Sequence, residues 1–134
     1  MSVFLDANIL FSAATPDSPT RALLNIILQH ARAVTNEHAW EEARRNLEHK
    51  RPHLITALNE LKSGIEFTGN FKEVALPPLP DKDQPVIGGA IASRCTHLWT
   101  GDKRHFGPLY GRTIQGTMIV SGVMLANEFS AKGW

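Results

Sequence analysis

Cysteine is nearly missing from this chain. Cys95 stands alone among 134 residues, so no disulfide can form within the chain and a zinc site built on several thiolates is excluded. A lone thiol of this kind reads as a small buried side chain in a reducing compartment. Charge of a dominant sign is missing too: 14 Lys and Arg stand against 13 Asp and Glu, a formal net charge of +1. Bulk charge therefore does not draw the molecule to phosphates, and any nucleic-acid role requires the basic residues to be gathered locally. No hydrophobic run approaches the ~18 residues of a membrane span. The apolar N-terminus lacks the basic start of a secretory signal, and Asp6 and Asn8 interrupt it. A cytoplasmic protein without membrane association is the expectation. Internal repeats, low-complexity tracts and interdomain linkers are absent as well.

What remains is ordinary in composition, 43% hydrophobic and 20% charged, and long enough to bury a core as one domain over residues 1–134. The opening stretch, Val3-Phe4-Leu5-Asp6, runs from apolar to acidic. It reads as a buried parallel strand with Asp6 at its C-terminal end. Ligands of open α/β sheets bind outside such ends, although an Asp after a strand also serves as a turn former or helix N-cap.

Residues 9–14 continue apolar, as the start of a helix. Residues 15–19 form a loop with two prolines, and Thr20 is placed to cap the next helix, with Ala22, Leu23, Ile26, Ile27 and His30 at helical spacing. Residues 31–35 read as a short strand and Asn36 as a cap. The helix over 37–50 has an apolar stripe of Ala39, Ala43 and Leu47 with Trp40 beside it. Glu42 lies at the edge of that stripe, where a carboxylate reaches into a cleft, while Glu41 points further round towards solvent. Arg44, Arg45, His49, Lys50 and Arg51 form the densest basic patch, read either as a solvated helix end or as a phosphate-contact strip. His49 and His53 have metal-like spacing, but Pro52 breaks the helix that would align them, and no zinc site is expected.

Pro52 restarts the helix on an apolar face of Leu54, Ile55, Leu58 and Leu61, and Gly64 ends it. Residues 65–68 form a strand and residues 71–80 a proline-rich loop. Asp83 then fits an N-cap, with Pro85 in the first turn and Ile87, Ala90 and Ile91 on a buried face. Gly88 and Gly89 are expected to permit close packing on the sheet. His97-Leu98-Trp99-Thr100 repeats the opening arrangement, an apolar strand followed by Asp102. Residues 118–121 are a last strand and 123–132 a last helix.

Alternating β and α segments predict a largely parallel sheet. Asp6 and Asp102 follow strands, and Glu42 and Asp83 are expected in the first turns of helices, so four carboxylates converge on one rim. Such a cluster repels itself unless a cation neutralises it. Hard divalent cations, Mg²⁺ or Mn²⁺, suit carboxylate oxygens, lower the pKa of water and stabilise a phosphodiester undergoing in-line displacement. Asn8 and Thr100 are placed to fix the carboxylates by hydrogen bonds. Arg104, with His105 as second choice, follows Asp102 at the mouth of this rim, where either side chain can hold a phosphate; Arg45 belongs to the alternative strip.

Phe4-Leu5-Asp6-Ala7-Asn8, Glu42 in Glu42-Ala43-Arg44-Arg45-Asn46-Leu47, Asp83 in Asp81-Lys82-Asp83-Gln84-Pro85-Val86, and Thr100-Gly101-Asp102-Lys103-Arg104-His105-Phe106 occur in that order. In this the chain resembles the PIN-domain nucleases, and among them the VapC-like toxins of toxin–antitoxin pairs. The resemblance implies a PIN-like three-layer α/β/α sandwich on a central, mostly parallel sheet of about five strands. It also implies Mg²⁺- or Mn²⁺-dependent cleavage of RNA, a small antitoxin protein as partner, and a homodimer. It assigns the metal-site acids to Asp6, Glu42, Asp83 and Asp102, with Asn8 and Thr100 in support. Asp81 competes with Asp83, and Glu41 with Glu42. An aspartyl-nucleophile phosphohydrolase is disfavoured because the position of its second Asp holds Asn8, which cannot act as general acid. The remaining alternative is a catalytically degenerate PIN-like module that binds RNA or protein.

Overall fold

All four residues of the first strand, β1 (Ser2–Leu5), are buried. Val3 and Leu5 enter the apolar cluster on one face of the sheet and Phe4 the cluster on the other, as a strand covered on both sides requires. The structure is a computed structural model that describes residues 1–74 and 80–134. It joins β1 to β2 (Arg32–Thr35), β3 (Ile65–Phe67), β4 (His97–Trp99), β5 (Thr113–Ile114) and β6 (Thr117–Val120) in one six-stranded sheet of order β3-β2-β1-β4-β6-β5. Only the β5–β6 pair is antiparallel.

On the face reached by Val3 and Leu5 lie α1 (Ala7–Ala13), α2 (Pro19–His30), α3 (Glu37–Lys50), α4 (Ile55–Leu61) and α7 (Gly122–Lys132). On the face reached by Phe4 lie α5 (Gln84–Ala92) and the short α6 (Lys103–Phe106). The result is an α/β/α sandwich. Asn36 caps α3 as expected, accepting from the Ala39 amide at 2.9 Å, and its own amide donates to the Pro85 carbonyl at 2.9 Å. This second bond ties the start of α3 to the start of α5. Among the described residues no helix is long and apolar enough to cross a membrane.

Several expectations are corrected. The sheet has six strands because a hairpin stands where only a last strand was expected: β5 returns to β6 through Gln115-Gly116, both at positive φ, 48° and 92°. Ser18, not Thr20, caps α2; its hydroxyl accepts from the Arg21 amide at 3.1 Å, with Pro19 opening the helix. The buried residues of α2 are Leu24 and Ile27, whereas Ala22 and His30 are exposed. Glu42 lies in the second turn of α3. Asp83 makes no capping bond; it closes a 3₁₀ turn, Asp81–Asp83, with helical backbone angles. Gly89 does face the sheet, where a Cβ would come within 3.3 Å of the Phe4 ring, but Gly88 faces the Lys72 carbonyl and the Phe71 ring. Of the proline-rich loop over 71–80, residues 75–79 lie outside the described residues.

Candidate metal centre

Strands β1 and β4 run parallel with Leu5 opposite Trp99, so the residues that leave them, Asp6 and Thr100, are neighbours. Asp6 is both cap and rim acid. Its Oδ1 accepts from the Ala7 amide at 2.7 Å; its Oδ2 accepts from the Thr100 hydroxyl at 2.7 Å and from the Asn8 amide at 3.4 Å. Only 5% of it is exposed. Burial pushes the carboxyl up to about 6; the Thr100 and Ala7 hydrogen bonds oppose that rise, and the charges of Glu42 and Asp83 add to it. The Asn8 carbonyl oxygen accepts from the Gly101 amide at 2.8 Å, and a Cβ on Gly101 would press on that oxygen at 3.3 Å. Thr100 is used twice, since its hydroxyl also accepts from the Asp102 amide at 3.1 Å.

Asp102 caps α6, its Oδ1 accepting from the His105 amide at 3.2 Å. Its other oxygen faces a second pair of groups. His105 Nδ1 lies 2.9 Å from Asp102 Oδ2 and 3.0 Å from Asp83 Oδ2. Neither contact is directed as a hydrogen bond, so Asp83 Oδ2 and His105 Nδ1 are buried polar atoms without a hydrogen-bonding partner among the described residues. Burial raises the Asp83 carboxyl above the usual range, and Asp102 and Glu42 raise it further against the opposing charges of His105 and Lys82. Asp83, Asp102 and His105 each offer one ligand atom, all within 4.8 Å of one another.

Glu42 projects from α3 as an exposed side chain. With Asn8, Phe11, Asn46, Lys50 and Asp102 it lines a cleft of about 300 Å³ beside the buried acids. Glu41 is turned to Arg44, whose guanidinium binds it at 2.8 Å and holds its carboxyl below the usual range. Asp81 is exposed, whereas Asp83 is 8% exposed. Arg104 is exposed on α6. Arg45 is exposed on α3, where its Nε donates to the Glu41 carbonyl at 3.3 Å. The side chain of His105 is only 17% exposed and lies between two carboxylates rather than at the open mouth.

A chain of the VapBC2 complex from Rickettsia felis, in a crystal structure bound to a DNA fragment from their promoter, superposes on this chain with a TM-score of 0.63. The match covers 90% of this chain and 98% of that one at 15% sequence identity. The fold is PIN-like. No protein-family model matches the sequence, and no curated protein is significantly similar to it.

In this PIN-like domain two features of the rim escape sequence reasoning. Tyr110, the single tyrosine, donates its hydroxyl to the Thr100 carbonyl at 2.8 Å. Burial and the charges of Asp102 and Asp6 raise its pKa. No sequence spacing connects it to the acids. The other is the bridging place of His105, which requires α6 to turn immediately after Asp102. The donor set itself suits a divalent cation. It is rich in carboxylate oxygen, contains a buried oxygen without a hydrogen-bonding partner, and carries like charges that raise the Asp6 and Asp83 carboxyls.

Proposed function

We propose that this chain is a metal-dependent endoribonuclease, the toxin of a toxin–antitoxin pair. The reading is supported by one observation: Asp83, Asp102 and His105 offer ligand atoms within 4.8 Å of one another at the rim of a PIN-like sheet, with Asp83 Oδ2 left without a hydrogen bond, Asp6 buried nearby and Glu42 on the adjoining cleft. Asp6, Asp83, Asp102 and Glu42 are the residues to hold Mg²⁺ or Mn²⁺. A cation held there supplies a lowered water pKa and charge stabilisation at a phosphodiester. Thr100 and Asn8 fix the Asp6 carboxylate, so that it is oriented before substrate arrives. Asp102 is fixed by its cap bond, and His105 stands between Asp83 and Asp102. Arg104 and Arg45 are the side chains to contact phosphates on either side of the cleft.

The solved counterpart belongs to a VapBC2 complex, which supports a small antitoxin protein as partner; a homodimer is the expected assembly. The test is cleavage of single-stranded RNA by the purified chain with Mg²⁺ or Mn²⁺, with EDTA, and with an Asp6→Asn control. Cleavage that needs the metal and Asp6 supports the reading. RNA binding without cleavage in any metal would favour the degenerate binding module instead. A small DNA-binding protein encoded next to this gene, and purifying with the chain, would support the toxin role.

A further inference from the structure

A second cavity adjoins the cleft, with Asn8 and Ser12 in the walls of both. It holds about 550 Å³, within the ~300–1,000 Å³ of small-molecule sites. Its walls come from α1, α2, α7 and the end of β4, and Asn8 and Gly101 belong to both its wall and the acid rim. Ile9, Leu23 and Val123 make it apolar, and Val123 is 72% exposed although it is a large hydrophobic residue. Of the polar groups on this wall, Asn8 is already paired, with Asp6 and with the Gly101 amide, and others are not. Trp99 lines the cavity although only 2% of it is exposed, and its indole N–H donates to no described residue. It reaches the wall beside Gly122, where a Cβ would sit 3.6 Å from Nε1. Ser12 and Thr20, each with a hydroxyl, line the same cavity.

We infer that this cavity binds one nucleobase of the RNA, that of the nucleotide next to the scissile phosphodiester. The inference rests on the ribonuclease reading for its substrate class. A flat heteroaromatic ring fills the apolar walls and brings carbonyl and ring-nitrogen acceptors for the Trp99 N–H and the two hydroxyls. An aliphatic or phenyl side chain from a protein partner would cover those donors and leave them unpaired, which is costly. Sequence-selective binding of single-stranded RNA works in this way, by enclosing unstacked bases and reading their edges. Continuity through Asn8 and Gly101 places the enclosed base beside the acids. The glycine at 122 keeps the indole edge uncovered: a Cβ there meets Leu23 Cδ1 at 3.5 Å and Trp99 Nε1 at 3.6 Å, ordinary contacts that occlude without distorting.

The test titrates the metal-free full chain with the four nucleoside 5′-monophosphates and with ribose 5-phosphate, following the assigned Trp99 indole N–H resonance. At least one nucleotide should move it saturably, and ribose 5-phosphate should not. Gly122→Ala should weaken that binding tenfold or more at unchanged thermal midpoint. No saturable shift with any nucleotide, an equal shift with ribose 5-phosphate, or unchanged binding by Gly122→Ala would overturn the inference. So would a response to N-acetyl-leucine amide and to no nucleotide, which would give the cavity to a protein partner. Because the readout needs neither metal nor turnover, base binding without RNA cleavage upholds the base site and overturns the nuclease reading, and cleavage without base binding does the reverse.

Discussion

The Thr100 hydroxyl donates to Asp6 Oδ2 at 2.7 Å across 94 positions of sequence. This bond makes the ends of two adjacent parallel strands one unit. It also passes order onward, because the same hydroxyl accepts from the Asp102 amide. Asp6 is thereby held as an acceptor while burial and its acidic neighbours disfavour its charge.

Asp6→Asn is expected to lower RNA cleavage by at least ~100-fold, the scale of losing one charge-stabilising group, while the fold persists. The amide keeps the shape and can exchange hydrogen bonds with Thr100, whose hydroxyl both donates and accepts. Circular dichroism and thermal midpoint check the fold. Wild-type turnover by a well-folded variant, free of host nuclease, would sink the assignment.

The pH dependence of stability follows from the same residue. The Asp6 carboxyl is raised from 3.8 in the unfolded chain to about 6 in the folded one, so folding binds a proton between those values. Its stabilising contribution is complete below pH 3.8 and is lost as pH rises through about 6. At ~1.36 kcal/mol per pH unit this amounts to about 3 kcal/mol. In EDTA, the urea midpoint of wild type relative to Asp6→Asn should therefore fall between pH 4.5 and 7.5. Mn²⁺ should restore wild type at pH 7.5 by mass action. Parallel pH profiles for the two chains would refute the linkage.

Asp83→Ala should abolish cleavage at saturating Mn²⁺ and Asp81→Ala should not, because Asp83 is buried against His105 and Asp81 is exposed. The same contrast is expected between Glu42→Gln, which loses activity, and Glu41→Gln, which gives up only a helix-surface pair with Arg44. Reversal within either pair would reassign the acid.

Arg104→Ala should weaken RNA binding and reduce the slope of log affinity against log salt by ~1, as for one lost phosphate contact. The measurement belongs in the Asp6→Asn background at two salt concentrations. Unchanged affinity and slope would move the phosphate contacts to Arg44 and Arg45.

Much of the frame was legible where local chemistry and packing agree. The run Val3-Phe4-Leu5 is apolar because both its faces are covered, and α3 announces itself through the Asn36 cap and the stripe of Ala39, Ala43 and Leu47. The start of α2 was misplaced at Thr20, although a proline at a first helical position marks the residue before it, Ser18, as the cap. The β5–β6 hairpin was not legible. Its turn is Gln115-Gly116, and glutamine carries none of the turn preference of asparagine at positive φ. Nor does sequence spacing tell that Asp83 is buried or that His105 turns inward to bridge it to Asp102. Both depend on how α5 and the turn after β4 approach each other, a tertiary matter with no local signature.

Because β1 pairs with β2 on one side and β4 on the other, the rim needs a partner strand that is distant in sequence. Thr100 and Asp102 lie far along the chain from Asp6, and β6, which flanks β4, lies further still. Until those segments dock, Asp6 has neither its hydroxyl donor nor its acidic companions. A chain that has not yet docked β4 beside β1 therefore carries no assembled rim, and the chemistry of the site belongs to the folded sheet and not to any one segment.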